Sequence, residues 1–255
     1  MPYAPTVTMI FVFLFFALSL QAQQRGNIYA VIVGVSEYTP GFQSDLYFAH
    51  SDAIAVFNLL SQHTHPSRLR LLTNQNATRD NVLRAKMELF IRTTPDDAVI
   101  FFFAGHGTQG IFAAHDRPIF FSEIQRIFQR TPAQRKMIFA DACNSGDLRT
   151  GNRRAQQQSN NSLGGDVMLF LSSRDYQLSW EMYERLNGRY LFRNGIFTHY
   201  LLSGLRGGAD ANRDRAVTAR ELFDYVNPRV RARTNGIQVP VMWGRFDSNM
   251  VIIAP

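Results

Sequence analysis

The sequence predicts one α/β domain built on an open, mostly parallel sheet flanked by helices. Short apolar runs rich in Val, Ile and Phe alternate with amphipathic segments, which is the pattern of a parallel sheet covered by helices. With 255 residues, of which 45% are hydrophobic, the chain is long enough to bury a substantial core. Its single cysteine excludes an internal disulfide framework and a multi-cysteine metal site.

The first half of the chain begins with two strand–helix units. Residues 28–35, "IYAVIVGV", are a buried strand by their β-branched content. A helix is predicted over 45–61 and a short strand over 68–72. Thr78 suits the N-cap of a second helix. The apolar face predicted for this second helix consists of Val82, Leu83, Met87, Phe90 and Ile91.

The rest of the chain continues the alternation of strands and helices. A long polar stretch, 147–165, is rich in Gln, Asn, Arg and Gly and is predicted to be a loop. The elements predicted around it are strands at 98–103, 136–140, 167–172 and 250–253, and helices at 122–130, 195–205 and 218–230.

The N-terminus has the pattern of a secretory signal peptide. Residues 9–20, "MIFVFLFFALSL", form an apolar run too short to span a bilayer comfortably. Ala22 supplies a small residue before a cleavage point. We therefore predict a signal peptide at 1–22, export to the periplasm or beyond, and no stable membrane span after its removal. An uncleaved membrane anchor is the alternative.

The net charge of +7 comes almost entirely from arginine, since lysine occurs only at Lys86 and Lys136. The arginines are scattered, and no nucleic-acid-binding motif surrounds them. We expect a solvated basic surface and no specific nucleic-acid partner. A protein that binds polyanions through this surface is a minor alternative.

Two predicted strands end in residues that suit nucleophilic catalysis. Strand 98–103 leads into Ala-Gly-His106-Gly107, and strand 136–140 leads into Asp141-Ala-Cys143-Asn-Ser-Gly. In an open parallel sheet, catalytic groups gather at the carboxyl ends of the strands. An imidazole at that edge can take the thiol proton, because a free thiol is mostly protonated at neutral pH. The amides of Gly107 and Cys143 can stabilise an oxyanion.

The sequence resembles the caspase-like cysteine peptidases, most closely the metacaspases and their bacterial relatives. The segments that carry the resemblance are "YAVIVGVSEY" at 29–38, "AHSDA" at 49–53, "FFFAGHGTQ" at 101–109, "DACNSG" at 141–146, "SSRDYQLSWE" at 172–181 and "GIFTHYLL" at 195–202. The resemblance implies a six-stranded sheet with helices on both faces. It also implies that Cys143 is the nucleophile, His106 the base and acid, and a thioester the acyl-enzyme. The implied peptidase domain is 27–254, with a large-subunit-like part at 27–148, a connecting loop at 149–165 and a small-subunit-like part at 166–254.

Substrate choice is predicted from the acidic residues near these motifs. In the metacaspase pattern the positions of Asp52 and Asp141 line the pocket for the residue before the scissile bond. Two carboxylates bind a guanidinium or ammonium group, so the predicted partners are peptides or proteins cut after arginine or lysine. Asp175 and Ala104 complete the predicted pocket. Arg174 is the one feature that favours an acidic substrate residue, although it can equally pair with a neighbouring carboxylate.

The predicted loop 149–165 offers sites for cleavage by the enzyme itself. Arg149, Arg153 and Arg154 lie in or next to this polar stretch, where a peptidase that cuts after arginine could nick its own chain. An ordinary surface loop is the alternative.

Residues 210–221 have the oxygen spacing of a calcium-binding EF-hand loop. The candidate ligands are Asp210, Asn212, Asp214 and Glu221, with the last carboxylate at position twelve. Arg215 stands where that loop expects glycine, so an Asx-type turn before a helix is the favoured alternative. No cofactor is required for the chemistry, and calcium is a candidate ligand.

A catalytically silent binding or scaffold protein is the competing function.

Overall fold

A computed structural model describes residues 26–108, 110–142, 167–173, 185–186, 189–190 and 194–254 of the chain. Within this part of the chain, no helix has the length and hydropathy to cross a bilayer. The α-helices are α1 (Ala49–Leu60), α2 (Arg79–Phe90), α3 (Phe121–Arg130), α4 (Ile196–Ser203) and α5 (Ala219–Arg233). The strands are β1 (Ile28–Gly34), β2 (Leu69–Thr73), β3 (Ala98–Ala104), β4 (Gly107–Thr108), β5 (Ile111–Ala113), β6 (Pro118–Phe120), β7 (Arg135–Asp141), β8 (Val167–Leu171), β9 (Arg185–Leu186), β10 (Arg189–Tyr190), β11 (Val217–Thr218), β12 (Val241–Arg245) and β13 (Val251–Ile253).

Six of these strands form the central sheet, in the order β12-β8-β7-β3-β1-β2. Every pairing in it is parallel except that of β12 with β8, which is antiparallel. The predicted open, mostly parallel six-stranded sheet is confirmed. Strand β3 lies near the middle and is buried along its whole length, as expected for a parallel strand covered on both faces.

The two faces of the sheet bury separate cores because side chains alternate along each strand. On β3, Ile100 and Phe102 face one core together with residues of α1, α4 and α5. Phe101 and Phe103 face the other core, which α2 and α3 cover. The prediction of helices on both faces is therefore confirmed.

The sixth strand of the sheet is β12, which was not predicted from the sequence, whereas residues 250–253 were predicted as an edge or final strand. Residues 251–253 do form β13, but β13 pairs with β11 in a separate two-stranded sheet. Strand β12 follows Pro240 and contains Gly244, two residues that are uncommon inside strands. Gly244 has φ +126°, and a Cβ there would lie 2.0 Å from the carbonyl oxygen of Val167, so the close approach to β8 requires glycine.

Helix α2 confirms its predicted cap but not all of its predicted apolar face. The Thr78 side chain accepts the Asn81 N–H at 3.3 Å, and Val82 and Phe90 are buried. Met87 and Ile91 are instead 55% and 68% exposed, and Lys86 is buried in the core. The predicted apolar face was wrong at these positions. The helical period shows which residues share a face of the helix, but packing against the sheet decides which face is buried.

Helix α1 begins at Ala49, four residues later than predicted. Asp45 belongs to the preceding loop, where its Oδ1 accepts the Tyr38 N–H at 3.0 Å. The 36–48 connection is thus a structured loop at the carboxyl end of β1. It lies beside the strand ends that carry the candidate catalytic residues.

Candidate active site

The strand register aligns the two segments that carry the predicted catalytic pair. Ala104 of β3 pairs with Asp141 of β7 and with Gly34 of β1. His106 therefore follows β3 by the same number of residues as Cys143 follows Asp141 of β7. Cys143 lies outside the described residues, so its contact with His106 stays a prediction.

The His106 side chain is held by the loop after β1. Its Nε2 lies 2.8 Å from the carbonyl oxygen of Ser44 and 3.4 Å from the Ser44 hydroxyl. Since a carbonyl oxygen only accepts hydrogen bonds, Nε2 carries the proton. The lone pair of the neutral ring is then on Nδ1, the nitrogen able to accept a proton.

The backbone around His106 is bonded to the end of β7 and to the loop after β1. Gly105 N–H donates to the carbonyl oxygen of Asp141 at 3.2 Å, which links the His106 turn to the end of β7. The His106 N–H donates to the Tyr38 hydroxyl at 2.8 Å. Gly107, a predicted oxyanion donor, begins the short strand β4 and is half-buried.

The residue before Cys143 is also held in place. The Ser172 hydroxyl lies 3.2 Å from both the Ala142 amide nitrogen and the Ala142 carbonyl oxygen. The Ser173 hydroxyl approaches the same carbonyl at 3.4 Å. Ser172, Ser173 and Ala142 are all buried, so the exit of β7 toward Cys143 has a fixed backbone.

The structure brings Asp52 and Asp141 together at the N-terminus of α4. Asp52, in the first turn of α1, accepts the Asn194 side-chain amide at 2.7 Å and the Gly195 N–H at 3.1 Å. Asp141 accepts the Thr198 N–H at 3.2 Å and the Thr198 hydroxyl at 2.8 Å. Both aspartates are buried.

The two carboxylates both approach Gly195. A Cβ on Gly195 would lie 2.5 Å from an Asp141 oxygen and 3.1 Å from an Asp52 oxygen. Two carboxylates this close to one backbone position form an acidic cluster beside the strand ends. The first amides of α4 contribute partial positive charge to the same cluster.

The remaining predicted site residues divide into those that the structure describes and those that it does not. Ala104 is buried at the end of β3, and its carbonyl accepts the Val35 N–H at 2.9 Å. The predictions for Asp175 and Arg174 in the pocket, and for Arg149, Arg153 and Arg154 as cleavage sites, fall outside the described residues.

Sequence reasoning missed several residues that hold the site. Ser44 acts through its carbonyl, which any residue supplies, so no side-chain pattern could have found it. Asn194, Gly195 and Thr198 had a local signal, an Asn-Gly pair before a helix. Their contacts to the aspartates depend on the tertiary fold.

The 210–221 loop forms the Asx-type turns that were the favoured alternative. Asn212 accepts the Asp214 N–H at 2.9 Å, and Asp214 accepts the Ala216 N–H at 2.9 Å. Arg215 has φ 67°, the left-handed conformation that the glycine of an EF-hand loop adopts. Among the described residues, no three or more His, Cys, Asp or Glu side chains are grouped to hold a metal ion. Calcium binding by Asp210, Asn212, Asp214 and Glu221 stays a prediction.

Comparisons with known proteins agree with this fold. The family model of the caspase domain matches residues 28–250. Caspase-1 from Spodoptera frugiperda has a similar structure, with a TM-score of 0.63 and 16% identity over 88% of each chain. A protein from Geobacter sulfurreducens gives a TM-score of 0.62 and 16% identity, over 86% of this chain and 93% of its own. No curated protein matches the chain.

Proposed function

Because the chain belongs to the caspase-domain family of cysteine peptidases, we propose that it is an endopeptidase that cuts after arginine, with lysine as second choice. Cys143 is the nucleophile and His106 the general base and acid. The observation that carries this proposal is the Ser44 carbonyl at 2.8 Å from His106 Nε2. That contact leaves Nδ1 as the proton acceptor at the edge of the sheet where β7 leads to Cys143.

In the proposed reaction, His106 Nδ1 takes the proton of the Cys143 thiol. The thiolate attacks the peptide carbonyl carbon, and the Gly107 and Cys143 amides stabilise the oxyanion. The imidazolium then gives its proton to the leaving amine, and a thioester remains. Water hydrolyses the thioester with His106 again as the base, which releases the carboxylate product and restores the thiol.

The acidic cluster around Gly195 supports the choice of a basic substrate residue. The carboxylates of Asp52 and Asp141 both approach the position that a Gly195 Cβ would occupy, and a planar guanidinium can pair with two carboxylates at once. We propose Asp175 and Ala104 as further pocket residues.

A catalytically silent scaffold protein is the second candidate. It is favoured by the hydrogen bonds that Asp52 and Asp141 already make to Gly195 and Thr198, since both aspartates then serve to cap α4. Activity toward basic peptides distinguishes the two candidates.

Two processing events belong to the same proposal. Removal of residues 1–22 as a signal peptide places the enzyme outside the cytoplasm, and its mature chain begins at Gln23. Cleavage after Arg149, Arg153 or Arg154 by the enzyme itself follows from its preference for arginine. Intact mass and N-terminal sequencing of the secreted protein detect both events.

The test is a fluorogenic peptide library that varies the residue before the scissile bond, assayed with and without calcium. We expect turnover of arginyl peptides, slower turnover of lysyl peptides, and loss of activity by at least about 10³-fold in Cys143→Ala. No cleavage of any basic peptide by folded protein, whether intact or nicked, would favour the scaffold.

Matched variants separate the pocket from the catalytic pair. Asp141→Asn and Asp52→Asn keep the side-chain shape but remove one charge each. We expect each to raise KM for arginyl peptides by about tenfold or more, the effect of losing a charge-assisted hydrogen bond. Glu88→Gln, an exposed position on α2, should leave the kinetics unchanged.

A further inference from the structure

Tyr38 contacts both the backbone and the ring of His106. Its hydroxyl oxygen accepts the His106 N–H at 2.8 Å. The two rings lie with their centroids 5.2 Å apart and their planes at 39°. Tyr38 is 6% exposed, so the accepting side chain of this hydrogen bond is fixed by the packing around it.

Gly105 is what allows the Tyr38 hydroxyl to come so close. Gly105 has φ +155°, and a Cβ there would lie 2.9 Å from the Tyr38 hydroxyl oxygen and 3.0 Å from the Phe103 ring. A side chain at this position would push the hydroxyl away from the amide of the next residue. The glycine before His106 therefore keeps open the space that the tyrosine hydroxyl occupies.

Tyr38 is itself held by the loop that fixes the imidazole. The Tyr38 N–H donates to Asp45 Oδ1 at 3.0 Å, and the Tyr38 ring lies 6.3 Å from that of Phe42. Ser44, the neighbour of Asp45, presents its carbonyl to His106 Nε2 at 2.8 Å. One loop thus holds His106 at two points, at the main chain through Tyr38 and at the ring through Ser44.

We propose that Tyr38 is a positioning residue for His106, an inference that rests on the proposed catalytic role of His106. Without the hydroxyl, the His106 N–H loses the acceptor it has in the folded protein, and the turn that carries the imidazole relaxes. Proton transfer requires the imidazole at hydrogen-bond distance from the thiol, and small displacements of a catalytic group reduce rates strongly. Because the proposed substrate pocket is formed by Asp52 and Asp141 at the N-terminus of α4, the loss of the Tyr38 hydroxyl should lower kcat and leave KM nearly unchanged.

The test compares the wild type with Tyr38→Phe, which removes one oxygen atom. For an arginyl peptide we expect kcat to fall about tenfold, the rate factor for one net hydrogen bond, with KM within about twofold. Tyr29→Phe is the matched control, because Tyr29 lies at the opposite end of β1 and packs near Arg68. A kcat for Tyr38→Phe within twofold of the wild type, or a rise in KM alone, would overturn the inference.

A second readout does not depend on peptidase activity. We expect slow hydrogen exchange of the His106 amide in the wild type and exchange at least about tenfold faster in Tyr38→Phe. The ring ¹⁵N shifts should report a proton on Nε2 in the wild type and a mixture of tautomers in the variant. Unchanged exchange and shifts in the variant would overturn the inference.

The two readouts separate this inference from the proposed function. If the wild type cleaves no peptide, the proposed function fails, while exchange and ring shifts still decide whether Tyr38 holds the imidazole. If Tyr38→Phe does not fold, the His106 amide of the wild type decides alone. If the wild-type His106 amide exchanges at the rate of an unstructured peptide, the Tyr38 hydrogen bond is excluded.

Discussion

The side chain of Lys86 carries an amino group into the core that α2 and α3 cover. Lys86 is fully buried, and its Nζ lies 4.3 Å from the centroid of the Phe101 ring. Its Nζ has no hydrogen-bond partner among the described atoms. Burial lowers the pKa of Lys86 well below its usual value, and the charge of Glu123 offsets this only in part.

The lowered pKa makes the free energy of unfolding depend on pH. The folded state binds the Lys86 proton less tightly than the unfolded state. Burial of Lys86 therefore lowers the free energy of unfolding at pH values below the unfolded pKa of about 10.5. That cost diminishes as the pH rises from the folded pKa to the unfolded pKa. Lys86 therefore destabilises the fold at neutral pH and ceases to do so in strong alkali.

We predict that Lys86→Met raises the free energy of unfolding at pH 7 by about 1–3 kcal/mol, the cost of a buried unpaired polar group. Urea unfolding at pH 7 and pH 10 measures this difference, which should narrow at the higher pH. The control is Lys136→Met, because the Lys136 Nζ donates to the Phe128 carbonyl at 2.9 Å. The Lys136→Met control should be less stable than the wild type. A Lys86→Met variant that is less stable than the wild type would contradict the prediction.

At the scale of elements, the helix N-termini of α4 and α5 are capped in different ways. Thr218 and Glu221 form a reciprocal pair at α5, in which each side chain accepts the backbone N–H of the other residue. Helix α4 begins after Gly195, which has no side chain to cap it, and Asp141 from β7 accepts the Thr198 N–H instead. The cap of α5 is local in sequence, whereas that of α4 joins a helix to the candidate active site.

For the local cap, Thr218→Ala should lower the free energy of unfolding by about 1 kcal/mol. The hydroxyl that accepts the Glu221 N–H is lost, while the backbone conformation of alanine is compatible with the site. Denaturant midpoints of the variant and of Thr39→Ala, an exposed threonine, provide the comparison. Equal midpoints for the two variants would mean that the cap contributes nothing measurable.

At the scale of the whole molecule, one sheet joins the two cores. Phe101 and Phe102 are neighbours on β3, both fully buried, and they face opposite cores. Because the same strand supports both cores, loss of packing on either face weakens the same sheet. We expect the domain to unfold in one cooperative transition.

Phe101→Ala and Phe102→Ala should each cost about 3–5 kcal/mol, the usual range for a buried Phe-to-Ala change. Calorimetry should show a single transition, shifted to lower temperature, in both variants. Phe120→Ala is the control, since Phe120 is 48% exposed, and its shift should be much smaller. Two separate transitions in either core variant would show that the cores unfold independently.

Sequence patterns alone predict the α/β class, most strands of the central sheet and the position of His106 at a strand end. These features are local: apolar runs define β1 and β3, and the polar residues that follow β3 and β7 are adjacent to them in the chain. The Thr78 cap of α2 was predictable for the same reason, since its contact spans three residues.

The pairing of distant elements, by contrast, follows from the three-dimensional fold. The choice of β12 as the sixth strand, the burial of Lys86 and the Ser44 carbonyl on His106 all depend on contacts between distant segments. Asp52 and Gly195 meet across 143 positions of sequence. Such contacts are set by how helices pack on a sheet, and that packing is a property of the folded chain that no local periodicity records.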